Sequence, residues 1–209
     1  MMSPHTPILI VGIVGSLRET SYTRMAVRIA LAGAAEKGAA TKLIDLRDYA
    51  LPFCDGSGKE AEGFPDLLRL RKEVAAAHGV ILGTPDYHGS YSGVLKNALD
   101  LMGFDEFGGK VMGLVGVAGG ALGTVNALND LRKVGRSLHA WVIPQQAAVP
   151  QAWKHFNDAG ELDDPDYEKR LKEVGRQAAR FAALLNSEET RRFLELWERA
   201  MPNPGGEGR

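Results

Sequence analysis

A single cysteine, Cys54, is all that the 209-residue sequence contains. No internal disulfide can form, which suits a reducing compartment. Nor does any apolar stretch approach the roughly 18 residues that a membrane-spanning helix requires. The opening MMSPHTP is polar and lacks the basic-then-apolar layout of a secretory signal. A cytoplasmic protein with no membrane partner is therefore expected. Charge of one sign is missing too: 25 Lys and Arg stand against 26 Asp and Glu, interspersed, for a net charge of -1. Such a balance excludes strong attraction to a polyanion, and no nucleic acid is expected as a partner. No Ser–His–Asp order and no metal-ligand spacing stands out. No metal is expected, and no side chain is assigned as an acid or base.

What is present is a regular alternation. The chain is 44% hydrophobic, enough for one sizeable core at this length. Residues 8–14 (ILIVGIV) form a continuous apolar run of strand length, as in a strand buried on both faces. Residues 21–37 turn helical, with Met25, Val27, Ile29, Ala30 and Leu31 as an apolar stripe. The pattern then predicts strands at 42–46, 80–84, 110–117 and 141–144. Helices are predicted at 66–77 (with Pro65 in its first turn), 93–102, 122–138 and 166–186. Without an internal repeat or an inter-domain linker, these strand–helix units imply one doubly wound α/β domain with a parallel sheet. Ligands of such sheets bind beyond the carboxyl ends of the strands, where strand order reverses. The loops after the first, third and fourth strands are the places to look.

The first of these loops runs through GSLRETSYTR, residues 15–24. Gly15 permits a tight turn and Ser21 is a good N-cap, so the free N–H groups of the next helix favour an anion. Ser16, Thr20, Ser21 and Thr23 add hydroxyls, and Arg18 adds a guanidinium fork suited to phosphate. Taken alone, the segment equally fits a capped turn with Arg18 solvated. The second loop, in TPDYHGSYSGVLKNALDLM, crowds Asp86, Tyr87, His88, Ser90 and Tyr91 around Pro85 and Gly89, a composition suited to a flat heteroaromatic ligand. An ordinary surface loop is the alternative. The third, GVAGGALGT, resembles a dinucleotide fingerprint only superficially: it opens the fourth unit and its glycine spacing is wrong. Close backbone approach to a ring accounts for it better, with a plain flexible loop as the other reading.

Together these segments carry a resemblance. GSLRETSYT resembles the GSLRxxSxxxxL signature of the NAD(P)H-dependent FMN reductase family, which includes quinone, chromate and azo-dye reductases. PDYHGSYSGVLKNALD, residues 85–100, is similar to that family's PEYNxSxPGxLKNAxD stretch. The resemblance covers the chain from about Ile8 to about Leu185. It implies a flavodoxin-like three-layer α/β sandwich with a five-stranded parallel sheet in the order 2-1-3-4-5. It implies FMN as cofactor and NAD(P)H as co-substrate. Hydride would pass through flavin N5 to a small-molecule acceptor (free flavin, quinone or similar) in a ping-pong cycle. A flavodoxin-type electron carrier or a non-catalytic flavin-binding protein is the alternative, although such carriers are acidic and this chain is near neutral.

By the same resemblance, Ser16, Arg18, Ser21, Tyr22 and Thr23 would hold the FMN phosphate. Pro85, Asp86, Tyr87, His88, Gly89 and Ser90 would line the isoalloxazine ring, and Gly119 and Gly120 would approach its other side. The sequence departs from the family pattern at several positions. Asp86 replaces Glu, His88 replaces Asn, and Tyr22 and Thr23 stand where an aromatic or small residue and then Asn are usual. Val117 and Ala118 replace hydroxyl residues, and Ser92 stands where Pro is common. A homodimer or homotetramer is implied, with the flavin site at an interface to which the 93–102 helix contributes.

Among the remaining residues, His5, His78, His139 and His155 read as structural or solvated, and Cys54 as a packing residue. Lys96 and Asp100 lie four apart on a helix and can pair. Beyond the 1–187 domain, residues 188–209 read as an extension. Phe193, Leu194, Trp197 and Met201 recur at helical spacing over 188–200, before a terminal PNPGGEGR expected to be disordered.

Overall fold

Unbroken apolar runs decide which segments sit in the middle of the sheet. A computed structural model describes residues 7–198. Its strands are β1 (Leu9–Val14), β2 (Ala40–Asp45), β3 (Gly79–Pro85), β4 (Val111–Val117) and β5 (Trp141–Val149). Every residue of β3 and β4 is buried, as the runs GVILGTP and VMGLVGV require of central parallel strands. The strands form one parallel sheet in the order β2-β1-β3-β4-β5, as expected.

The helices are α1 (Tyr22–Ala35), α2 (Pro65–Ala75), α3 (Gly93–Asp100), the single turn α4 (Phe104–Phe107), α5 (Val125–Ser137), α6 (Pro165–Leu185) and α7 (Glu188–Glu198). Two apolar layers flank the sheet. On one face Val27, Ala30 and Val174 of α1 and α6 pack with Ile10, Val14 and Val115. On the other, Leu70, Leu95, Leu99 and Leu128 pack with Val11, Ile13 and Leu82.

Glycines set how closely α1 approaches its neighbours. A methyl at Gly12 would meet Val27 at 2.5 Å, and one at Gly83 would also run into Val27. Against α6 the contact is reciprocal: a methyl at Gly33 would collide with the Lys172 backbone, and one at Gly175 with the Ala30 backbone. The two helices therefore touch backbone to backbone. Glu36, at the end of α1, then ties it to the middle of α6 through Arg176 at 2.7 Å and Lys172 at 3.4 Å.

Two sequence readings need correction. The fifth strand continues past Pro144 to Val149. Pairing with β4 shifts register between Met112 and Leu114, so that Met112 faces Val142 while Leu114 faces Gln146. Pro144 sits in that irregularity on an edge strand, where a missing N–H is tolerated. Arg132 fills the gap: its guanidinium donates to the Ile143 and Pro144 carbonyls at 2.8 and 2.7 Å and to Gln146 Oε1 at 2.8 Å. Helix α5 also starts at Val125, three residues later than the pattern suggests. The last helix matches its expected start at Glu188. The terminal PNPGGEGR and Met201 lie outside the described residues. Among the described residues no helix is long and apolar enough to cross a membrane.

Candidate functional site

The three loops singled out above meet at the carboxyl end of the sheet. The first leaves β1 at Gly15, whose N–H donates to the Gly83 carbonyl at 2.8 Å. A side chain there would come within 2.7 Å of Leu95 Cβ and 2.9 Å of the Gly83 oxygen, so the close crossing requires glycine. Ser21 caps α1, its Oγ accepting from the Arg24 N–H at 3.2 Å. The N–H groups of Tyr22 and Thr23, in the first turn, have no intrahelical acceptor. No acidic residue occupies that turn. Ser16, Ser21 and Thr23 are buried, whereas Arg18 and Thr20 are exposed.

Arg24, which no sequence motif singles out, is buried beneath this loop. Its Nε pairs with Asp45 Oδ2 at 2.6 Å, while Nη1 and Nη2 donate to the Glu19 and Arg18 carbonyls at 2.9 and 3.0 Å. Asp45 ends β2 and also accepts from Arg47, at 2.9 Å from Nη2. Burial opposes the Asp45 charge, but hydrogen bonds from Arg47 and Arg24 outweigh it and hold the carboxyl below its ordinary 3.8. No sequence signal pairs residue 24 with residue 45; only the parallel packing of β2 on β1 brings them together.

The second loop is a tight reversal. His88 and Gly89 have φ of 55° and 82°, the paired positive angles of a type I′ turn. Tyr87 and Ser90 close it by exchanging backbone hydrogen bonds of 3.0 and 3.2 Å. Asp86 Oδ1 accepts from the Gly89 N–H at 2.9 Å. His88 thus occupies a left-handed position that Asn also favours, which accounts for the exchange at that site. Ser90 Oγ donates to Asp130 at 3.1 Å and anchors the turn to α5. Lys133 and then Ser90 lower the Asp130 pKa.

The third loop is held from behind by residues following β5. Ala152 N–H donates to the Ala118 carbonyl at 2.9 Å, Gln151 N–H to Gly120 at 3.1 Å, and the Trp153 indole N–H to Gly119 at 3.3 Å. In a trans peptide each carbonyl points opposite to the following N–H. The N–H groups of Gly119, Gly120 and Ala121 therefore face away from the 151–153 strap. A side chain on Gly119 or Gly120 would meet no atom within 4 Å, so the space in front of them is open.

Between the loops lies a cavity of about 300 Å³. Ser16, Arg18, Ser21, Tyr22 and Thr23 form one wall; Pro85, Asp86 and Tyr87 form the second; Val117, Ala118 and Gly119 form the third. An adjoining cavity of about 540 Å³ shares Asp86 and Gly119 and adds Gly89 and Gly120. His88 and Ser90 line neither of these two. Trp153 lines the first and escapes sequence reading, because the pattern ends the fifth strand well before it.

A family model described as NADPH-dependent FMN reductase matches residues 8–154. The chain belongs to that family. It is therefore an FMN-dependent oxidoreductase with NAD(P)H as co-substrate. Among curated relatives, the chain is 34% identical over 165 residues to an FMN-dependent NADPH-azoreductase of Staphylococcus aureus, covering 77% of this chain and 87% of the relative. It is 29% identical over 184 residues to the NADPH-dependent FMN reductase ArsH of Shigella flexneri, covering 86% and 70%. Two solved structures share the fold. One is an NADH:FMN oxidoreductase in its apo form (TM-score 0.71, 24% identity, 88% and 94% covered). The other is FerB, an NAD(P)H:(acceptor) oxidoreductase of Paracoccus denitrificans (TM-score 0.70, 21% identity, 84% and 97% covered).

The reductase's cleft is chemically suited to FMN. Unpaired N–H groups at the start of α1, three buried hydroxyls, the Arg18 guanidinium and the absence of a carboxylate in that turn match a phosphate. The open face over Gly119 and Gly120, which shares its cavity with Asp86 and Gly89, suits a flat ring.

Proposed function

We propose that this reductase carries hydride from NAD(P)H to a small flat oxidant (quinone, azo compound or free flavin) by a ping-pong cycle in one shared cleft. The convergence of the three loops on one cavity carries this reading. Ser16, Arg18, Ser21, Tyr22 and Thr23 hold the FMN phosphate. Pro85, Asp86, Tyr87, Gly89, Gly119 and Gly120 lie along the ring, while His88 and Ser90 shape and anchor the turn rather than face the ligand. Bound FMN supplies the hydride-accepting chemistry. The protein's part is to orient: backbone N–H groups of the third loop face the cleft, and the Tyr87 phenol, about half exposed, borders its mouth. No side-chain acid or base is needed among these residues. Because donor and acceptor share one opening, each must leave before the other enters.

The reading extends to assembly and location. Exposed Leu17, Tyr87 and Leu122 surround the cleft, which supports a homodimer or homotetramer with the site at an interface to which α3 contributes. Cytoplasmic residence agrees with the lone, exposed Cys54. Residues 1–187 would constitute the flavin domain and 188–209 an extension. Steady-state oxidation of NADPH at several fixed concentrations of a quinone and of an azo dye tests the cycle. Parallel double-reciprocal lines are expected, and intersecting lines would replace the shared-cleft reading with a ternary complex. Light scattering of the full chain tests the assembly, and a monomer at all concentrations would remove it.

A further inference from the structure

Arg24 does not line the cleft. It lies in a groove on the outer side of the same loop, with Met25, Arg28 and Gly160. Nevertheless its guanidinium makes three directed contacts at once: the Asp45 carboxylate at 2.6 Å and the Glu19 and Arg18 carbonyls at 2.9 and 3.0 Å. The Arg24 and Asp45 side chains are 11% and 8% exposed, so the ion pair is held largely out of water. A buried pair of this kind is a poor source of net stability, because desolvation cancels most of the attraction. Its geometry is the more informative property.

We propose that Arg24, braced on Asp45, is a positioning residue that aims the phosphate cradle by holding the Arg18 and Glu19 carbonyls outward. The peptide bonds are trans, so each held carbonyl sends the following N–H the opposite way. Those are the N–H groups of Glu19 and Thr20. Among the described residues neither donates to a protein acceptor. Both thereby point away from the Arg24 guanidinium, and on the cleft wall that Arg18, Thr20 and Ser21 line they would add to the N–H groups at the start of α1. Without the clamp the two carbonyls are free to rotate inward, and a carbonyl oxygen facing a phosphate repels it. Arginine is required because its planar fork reaches a carboxylate and two carbonyls together; a lysine has one nitrogen for all three. Arg18, by contrast, is exposed and free to meet the anion directly. The two arginines divide the work: one touches the phosphate, and the other shapes the backbone that does.

The proposal rests on the assignment of this loop to the FMN phosphate, and the test separates the two. Apo-protein would be titrated with FMN and with riboflavin, which lacks the phosphate, using quenching of flavin fluorescence. Unfolding midpoints of the same apo-proteins would be recorded alongside. Arg24→Lys should weaken FMN roughly 10- to 100-fold, the range expected for charge-assisted hydrogen bonds, and leave riboflavin unchanged. Asp45→Asn should move FMN affinity in the same direction by less, since the carbonyl contacts survive. Arg24→Met gives the full loss; should it fail to fold, Arg24→Lys and Asp45→Asn carry the measurement. Wild-type FMN affinity in Arg24→Lys would overturn the proposal, as would equal losses for FMN and riboflavin, which mark general damage. Equal affinity of the unaltered protein for both flavins would remove the cradle assignment, and the proposal with it.

Discussion

Ser92 Oγ donates to the Gly15 carbonyl at 2.6 Å, tying the start of α3 to the point where the chain leaves β1. The same hydroxyl accepts from the Leu95 N–H at 3.2 Å as the N-cap of α3. Its backbone N–H donates to Thr84 Oγ1 at 3.0 Å. Two of the three loops are thus cross-linked through one buried residue, at a position where the family pattern has proline. Proline has neither the hydroxyl nor the N–H.

The first prediction follows directly. Ser92→Ala should cost about 1–3 kcal/mol, because it removes a helix cap and strands the buried Gly15 carbonyl. Ser92→Pro keeps the backbone angle, since φ is already -66°. It loses the Thr84 contact as well and should be at least as destabilising. Urea unfolding of the apo-protein followed by circular dichroism measures both; a loss below about 0.5 kcal/mol would show that the cross-link is incidental.

Gly175 provides a second test. Its α carbon faces the Ala30 carbonyl with no space for a methyl, where α6 packs on α1. Gly175→Ala should lower stability by about 1–3 kcal/mol through overpacking despite alanine's better helix propensity. The propensity term alone predicts a rise in melting temperature, so the sign of the change decides between them.

A third prediction concerns Trp153. It is 57% exposed, so Trp153→Phe should leave the unfolding midpoint nearly unchanged. It removes the indole N–H from the Gly119 carbonyl, and FMN affinity should fall by about 0.5–1.5 kcal/mol as the third loop loosens. Quenching of the protein's tryptophan emission on FMN addition should shrink in the same variant. Unchanged affinity and unchanged quenching together would place Trp153 outside the site.

Acid stability tests Asp45. Its folded pKa lies below the ordinary 3.8, so the folded state binds fewer protons than the unfolded state in that window. The contribution of this carboxylate is therefore complete above about pH 5 and is lost as pH falls through and below the ordinary aspartate value. Apo-protein stability measured from pH 7 to pH 3 should fall less steeply at the acid end in Asp45→Asn than in the unaltered chain. Identical slopes would show that the pair stores no pH-dependent stability.

Where the sequence was legible, local chemistry coincided with tertiary role. Ile10, Val11, Ile13 and Val14 read as a central strand because burial on both faces demands apolar residues at every position. Gly15 and Ser21 read as turn and cap for reasons internal to their own segment. Pro144 misleads, because a proline ends most strands, and only the register shift against β4, bridged by Arg132, explains why this one does not. Arg24 is hidden for a different reason: its partners, Asp45 and two carbonyls, are fixed by strand pairing, and residue type carries no trace of that. His88 reads as a ring contact because it stands in the stretch that resembles the family's ring-lining loop; its left-handed backbone angle supplies a separate reason for its place in the turn.

The interlocked glycines of α1 and α6 bear on how the protein is made. The cradle sits at the start of α1, yet α1 seats only when Gly33 meets the Lys172 backbone, and the Glu36–Arg176 contact spans 140 residues. During synthesis the N-terminal segment emerges first and must wait for the whole sheet before α6 arrives. A nascent chain that still lacks α6 therefore cannot present a finished phosphate site, and cofactor loading becomes an event that follows the docking of α6 on α1.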